Sequence, residues 1–198
     1  EPRAECMLVI IGAKPEGRKE LVGFQVGVRE SAQSWRELLV DLKARGLTVT
    51  PELATGDGAL GFWKALEEVS PTTRHQRCTV HKHRNLLAHA PERLHEEISN
   101  DYREMIYAAT RQQVGFRRKA FLRKWRLKCR AVADSLEEAG DRLFTFTRFP
   151  PSQWKSIRTS NAIGPLHAEF KRRTKPQTRL PCAEPPAPAS RAPLAPGE

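Results

Sequence analysis

The residues that could do chemistry begin with Asp57, which stands between Gly56 and Gly58. An apolar approach (Leu53, Ala54) precedes it, and an amphipathic helix opens behind it with Leu60, Phe62, Trp63 and Leu66. A carboxylate flanked by glycines at a strand-to-helix junction stands at the strand's C-terminal edge with open space in front. Open α/β sheets place their ligand sites there. The plainer reading is a turn, because Asp-Gly is a common turn dipeptide.

A second group is Cys78, His81 and His83, a Cys-x-x-His-x-His run. Zinc takes sulfur and imidazole nitrogen, but a finger needs a second Cys or His pair downstream, and none lies at that distance. A Cys78 nucleophile with His81 as its base lacks a third, orienting group. The default is a half-buried strand cysteine beside a hydrogen-bonded histidine.

The third chemistry is electrostatic. Residues 113–139 read as one helix with Phe121, Trp125, Cys129, Val132 and Leu136 at helical spacing. Between them lie Arg117, Arg118, Lys119, Arg123, Lys124, Arg126, Lys128 and Arg130, with little acid to offset them. Such a face is either a solvated surface or a phosphate-binding one. Lys171, Arg172 and Arg173 add a further basic cluster. Trp154, beside Lys155 and Arg158, is the tryptophan to weigh for DNA, whereas Trp35, Trp63 and Trp125 sit on apolar stripes and read as core.

These groups need elements to position them. Residues 6–13 (CMLVIIGA) form a continuous apolar run, expected as a strand buried on both faces. After a Pro/Gly turn, residues 20–28 alternate, so the pair reads as an antiparallel hairpin. Residues 31–45 are helical: Ser31 or Ser34 caps them, Glu37 would close a capping box with Ser34, and Gly46 ends the helix. A strand at 53–55, a helix at 60–69 stopped by Pro71, and a strand at 73–81 follow. The order is β-β-α-β-α-β, an α/β mixed sheet with flanking helices. Helices are then expected at 92–109 and 113–139, and Ser160-Asn161 would cap a last one over 162–174. Residues 181–198 are Pro/Ala-rich and cannot bury enough surface to offset ordering, so they read as disordered.

Composition narrows the partners. The 198 residues suffice for one domain with a core, and a net charge of +11 favours polyanions, nucleic acid first. No run is long and apolar enough to span a membrane. Cys6, Cys78, Cys129 and Cys182 are scattered with no Cys-x-x-Cys pair, which suits a reducing cytoplasm. No signal peptide is legible, and a start at Glu1 rather than Met suggests a fragment.

Four segments in order resemble the Mutator-type transposases of bacterial insertion sequences: residues 29–35 (RESAQSW), 56–63 (GDGALGFW), 76–82 (QRCTVHK) and 153–163 (QWKSIRTSNAI). The resemblance implies an RNase H-like fold with an α-helical insertion before its last helix. It divides the chain into an incomplete core over 1–89, the insertion over 90–148, the last core helix over 149–180 and the tail. It also implies three acidic residues holding two Mg²⁺ or Mn²⁺ ions for DNA cleavage and strand transfer. Asp57 matches the second acid, and Cys78 and His81 match a Cys-x-x-His pair that supports the site or touches DNA. The first acid would precede Cys6, and Glu5 is misplaced for it. The family writes Asn-x-Ile-Glu for the third, but here Asn161-Ala162-Ile163 is followed by Gly164 and Pro165. Glu169 lies more than a turn further on.

One carboxylate can share a cation with substrate phosphate but cannot clamp a pair. The expectation is therefore a truncated, degenerate transposase, bound to DNA in the nucleoid and not cutting it unaided. It would assemble with itself or with an intact transposase. The alternative is a non-catalytic DNA-binding or transposase-interfering remnant.

Overall fold

The computed structural model describes residues 6–13, 19–28 and 30–161. Strands β1 (Cys6–Ala13) and β2 (Lys19–Val28) form the expected antiparallel hairpin, with Met7 opposite Val26 and Val9 opposite Phe24. Its burial is one-sided, contrary to the expectation for β1. Leu8 is buried, Met7 and Val9 are half-buried, and Phe24 on β2 is exposed. Among the described residues α1 (Ala32–Ala44) packs against β2. A Cβ on Gly23 would come within 3.0 Å of Leu42 and 3.3 Å of Leu38, so glycine there lets helix and strand close up.

Helix α1 starts at Ser31, whose Oγ accepts the Ser34 N–H at 3.1 Å. Of the two candidate caps Ser31 is the one used, and Glu37 accepts from Gln33 instead of closing a capping box. The helix stops at Gly46, φ +110°, where Leu47 N–H donates back to Leu42 C=O at 3.0 Å.

After β3 (Leu53–Gly56), α2 (Leu60–Val69) packs Trp63, Ala65 and Leu66 against Leu39 of α1. Gly61 permits the crossing, since a Cβ there would lie 3.0 Å from the Ala32 backbone. Strand β4 (Arg74–Arg77) pairs parallel with β3, Leu53 opposite Arg74 and Gly56 opposite Arg77. Among the described residues the four strands thus lie in two two-stranded ladders, within a mixed α/β chain.

The strand expected over 73–81 ends early, and α3 (Thr79–Ala88) begins at once. The cause is distant in sequence. Arg158 C=O accepts both Thr79 N–H (2.9 Å) and Thr79 Oγ1–H (3.0 Å), which takes the chain off the ladder.

Beyond α3, a single 3₁₀ turn (Glu92–Leu94) leads into α4 (His95–Ile106). The single helix expected over 113–139 is two, α5 (Arg111–Lys128) and α6 (Arg130–Ala139), because Cys129 takes extended angles (φ −156°, ψ 92°). The break lets α6 fold back along α5, burying Val132, Ala133 and Leu136 in one core with Phe121 and Trp125. Short 3₁₀ turns at Gly140–Leu143, Thr145–Arg148 and Pro151–Gln153 then reach α7 (Trp154–Ile157).

Trp154 is a correction. It is buried, stands edge-on to Phe146 with centroids 5.2 Å apart, and donates Nε1–H to Phe149 C=O at 2.8 Å. It is core, not a stacking platform for bases.

Among the described residues two apolar clusters result, a small one between α1 and α2 and a larger one among the later helices. Gln76 links the sheet to the second. It is fully buried, donates to Leu143 C=O at 2.8 Å and accepts Phe146 N–H at 2.7 Å.

Candidate functional site

The parallel pairing of β3 and β4 brings two strand ends together. Gly56 C=O accepts the Cys78 N–H at 2.6 Å, so Asp57 and Cys78 leave adjacent strands side by side. Asp57 is exposed, and its Oδ1 accepts the Ala59 N–H at 2.9 Å. Its own C=O accepts from Trp63 Nε1–H at 2.9 Å, which fixes the turn to the first buried residue of α2. Trp63 in turn stacks on His75 (centroids 4.7 Å, 29°).

Neither glycine beside Asp57 has room for a side chain unless a neighbour moves. A Cβ at position 56 would sit 3.2 Å from Phe62 and Trp63, and one at position 58 would collide with the Arg77 guanidinium. Arg77 is therefore part of this corner, and Glu138 on α6 holds it there. Glu138 also binds Lys82 Nζ at 2.9 Å, a buried ammonium that Ser135 Oγ accepts from at 3.0 Å. Arg77, Lys82 and Glu138 escaped the sequence reading. Arg77 and Lys82 lie inside a matched segment, but nothing local pairs them with a glutamate more than fifty residues away.

Cys78 is buried at the start of α3 rather than half-buried on a strand, and His81 lies on the helix. Ser160 N–H donates to Cys78 Sγ at 3.3 Å, and Sγ–H points to Thr159 Oγ1 at 3.7 Å. Burial pushes the thiol up. The Ser160 hydroxyl and N–H, with smaller contributions from His81, outweigh burial and bring it down to about 7. His81 Nδ1 is buried with no hydrogen-bond partner among the described residues. His83 is accounted for by Ser99 Oγ at 2.9 Å and by stacking on Tyr102.

The lowered thiol has a consequence for stability. A thiol that ionises more easily when folded adds stability that is complete above the unfolded value near 9 and is lost as pH falls through 7. The protein should become more stable from pH 7 to 9. Cys78→Ala should remove that rise, as read from urea midpoints across the range. A Cys78→Ala variant with an unchanged pH profile would place the titration elsewhere.

The segment after α7 is anchored to this corner. Thr55 Oγ1 donates to Ile157 C=O at 2.6 Å. Arg158 is buried, donates to Ile106 C=O at 3.1 Å, and lies 4.0 Å from the Tyr107 ring centroid. The described chain runs to Asn161, whose N–H donates to Thr159 Oγ1 at 3.1 Å. Gly164, Lys171, Arg172 and Arg173 lie outside the described residues.

The cations of α5 are not a uniform face. Acids from neighbouring helices reach most of them: Glu104 pairs with Arg117, Asp141 with Arg118 (2.7 Å), Glu97 and Asp101 with Lys124 (2.8 and 2.6 Å), and Glu137 with Arg126. Lys119 and Arg123 are exposed and have no ion pair among the described residues. They share the face opposite the buried Val114, Phe121 and Trp125 with the exposed Phe116 and Leu127.

For a divalent pair the described residues offer too little. No group of three or more His, Cys, Asp or Glu side chains among them converges to hold a metal. The oxygen donor facing out of the corner is Asp57, while its neighbour Cys78 presents sulfur, a poor match for a hard ion. No helix of the described residues is long and apolar enough to cross a membrane.

The described chain is mixed α/β, with the exposed carboxylate of Asp57 where β3 ends beside β4. Residues 2–185 match the family described as Transposase, Mutator family, and the chain belongs to it. Among its relatives is the transposase for insertion sequence element IST2 of Acidithiobacillus ferrooxidans, 44% identical over 88% of this chain and 58% of that protein. The transposase for IS6120 of Mycolicibacterium smegmatis is 41% identical over 86% of this chain and 52% of that protein. The transposase for IS905 of Lactococcus lactis is 33% identical over 91% and 46%. The chain spans about half the length of these curated relatives.

Proposed function

We propose that this chain is a DNA-binding part of a Mutator-type transposase with an RNase H-like core. In this reading Asp57 is a member of the acidic set, Gly164 replaces another, and the chain does not cut or join DNA unaided. The supporting observation is the corner itself. Asp57 is presented to solvent at the C-terminal end of β3, with its turn fixed by Trp63 and by Arg77 against Gly58. Glycine at position 164 stands where the resemblance calls for another acid. Cys78 and His81 support the corner from the start of α3. The core, helical insertion and last helix divide near residues 89 and 148, as the resemblance implies.

DNA contact falls first to Lys119 and Arg123, which have no acid partner to displace among the described residues. Arg117, Lys124 and Arg126 give up an ion pair to reach a phosphate, a small loss for groups open to solvent, while Arg118 keeps its pair with Asp141. Lys171, Arg172 and Arg173 extend the basic surface in this reading. The setting is the cytoplasm, at the nucleoid, with copies of the chain or of an intact transposase as partners.

Supercoiled plasmid incubated with the protein and Mg²⁺ or Mn²⁺ tests the reading. The expected result is DNA binding that weakens steeply as salt rises, with the plasmid left intact. Metal-dependent nicking that disappears in Asp57→Ala would overturn the non-catalytic part. Binding indifferent to salt would overturn the phosphate contacts.

A further inference from the structure

A groove of about 170 Å³ lies between the first half of α5 and the turns that follow α6. Arg111, Gly115, Arg118, Asp141, Thr147 and Arg148 line it. Three guanidinium groups face one carboxylate, so the groove carries an excess of two positive charges. Arg118 is held in place twice, by its 2.7 Å ion pair with Asp141 and by the Phe144 ring 4.8 Å beneath its guanidinium. Arg111 and Arg148 are exposed and have no ion pair among the described residues. Arg118 holds the Asp141 carboxyl below its ordinary range, and Arg148 is near enough to add to the effect.

Gly115 is the second, independent observation. It sits inside an 18-residue helix, where glycine is unfavourable, yet a Cβ there would meet nothing within 4 Å. Packing within the described chain does not require it. Bare backbone on the wall of a cationic groove is what close approach by an outside group requires.

We propose that this groove seats a phosphodiester of a DNA strand, with Arg111, Arg118 and Arg148 as its donors and Gly115 keeping the wall clear. A phosphate oxygen is met by planar, multi-donor guanidinium groups, one of them already oriented. The groove adjoins the outer face of α5 that bears Lys119 and Arg123, so a strand seated in it runs on to those cations. The proposal rests on the DNA-binding reading and adds Arg111, Gly115 and Arg148 to Arg118, which that reading already names.

The test is fluorescence anisotropy of a labelled duplex with the full chain, from about 50 to 200 mM salt, a range over which phosphate contacts lose affinity. Arg111→Gln/Arg148→Gln should weaken binding about tenfold at the lower salt and reduce the slope of log affinity against log salt by about 1–2. Arg93→Gln, which removes one exposed charge elsewhere, should do neither. Gly115→Leu should weaken binding while melting no lower than the parent, which separates a blocked groove from a damaged fold. DNA binding by the parent that both groove variants retain would overturn the groove and leave the DNA reading standing. A parent chain that binds no DNA would overturn both.

Discussion

Gln76→Leu should lower the free energy of unfolding by about 2–6 kcal/mol, a large share of the ~5–15 kcal/mol that holds an ordinary domain together. The side chain is fully buried, and the two ends of its amide serve backbone groups 67 and 70 residues away. Leucine fills a similar volume but strands the Leu143 C=O and the Phe146 N–H, each costing about 1–3 kcal/mol when unpaired in the interior. The two orphans lie in successive 3₁₀ turns against β4, so the sheet and the helical cluster should loosen together. Urea unfolding followed by circular dichroism reads the loss directly. A change below about 1 kcal/mol would mean that water or a shifted backbone serves both groups.

That dependence on distant partners separates what the sequence disclosed from what it hid. The hairpin, α1 and α2 were legible because their signals are local. Ser31 caps α1, Gly46 ends it, and α2 stops just before Pro71. The place of Asp57 between β3 and α2 was legible for the same reason, from an apolar approach before it and an amphipathic helix after it. The extent of β4 was not, because Arg158 C=O decides where α3 begins and lies almost eighty residues downstream. Trp154 looked like a loop residue among cations until Phe146 and Phe149 closed around it. The charge on α5 misled in the same way. Counted along its own helix it has little acid, but Glu97, Asp101, Glu104, Glu137 and Asp141 reach it from α4, α6 and the turn after α6. Periodicity tells which side of a helix is apolar, not which neighbour supplies the counter-charge.

The corner beside Asp57 holds the second large effect, and it is asymmetric. Lys82 is an ammonium with 3% of its side chain exposed, while the Glu138 that neutralises it is 61% exposed. Glu138→Gln should cost about 3 kcal/mol at neutral pH, because it leaves a buried cation facing Ser135 with Arg77 close by. Lys82→Met should be within about 1 kcal/mol of the parent, because it removes the buried charge and fills the same space, while Glu138 keeps Arg77 and its water. Burial already holds the Lys82 ammonium below its ordinary range, against the pull of Glu138. Without Glu138 it falls further, so at alkaline pH the unfolded chain binds the proton that the folded chain has shed. Stability of Glu138→Gln should therefore recover as pH rises. Adding Lys82→Met to Glu138→Gln should restore most of the loss, as a double-mutant cycle would measure. Equal losses from the two single variants, or none from Glu138→Gln, would contradict the asymmetry. The cycle also tests the candidate site, because Glu138 is what holds the Arg77 guanidinium over Gly58. If the double variant regains stability while Arg77 stays unanchored, any remaining change in DNA binding near Asp57 reports the loss of that anchor rather than a damaged fold.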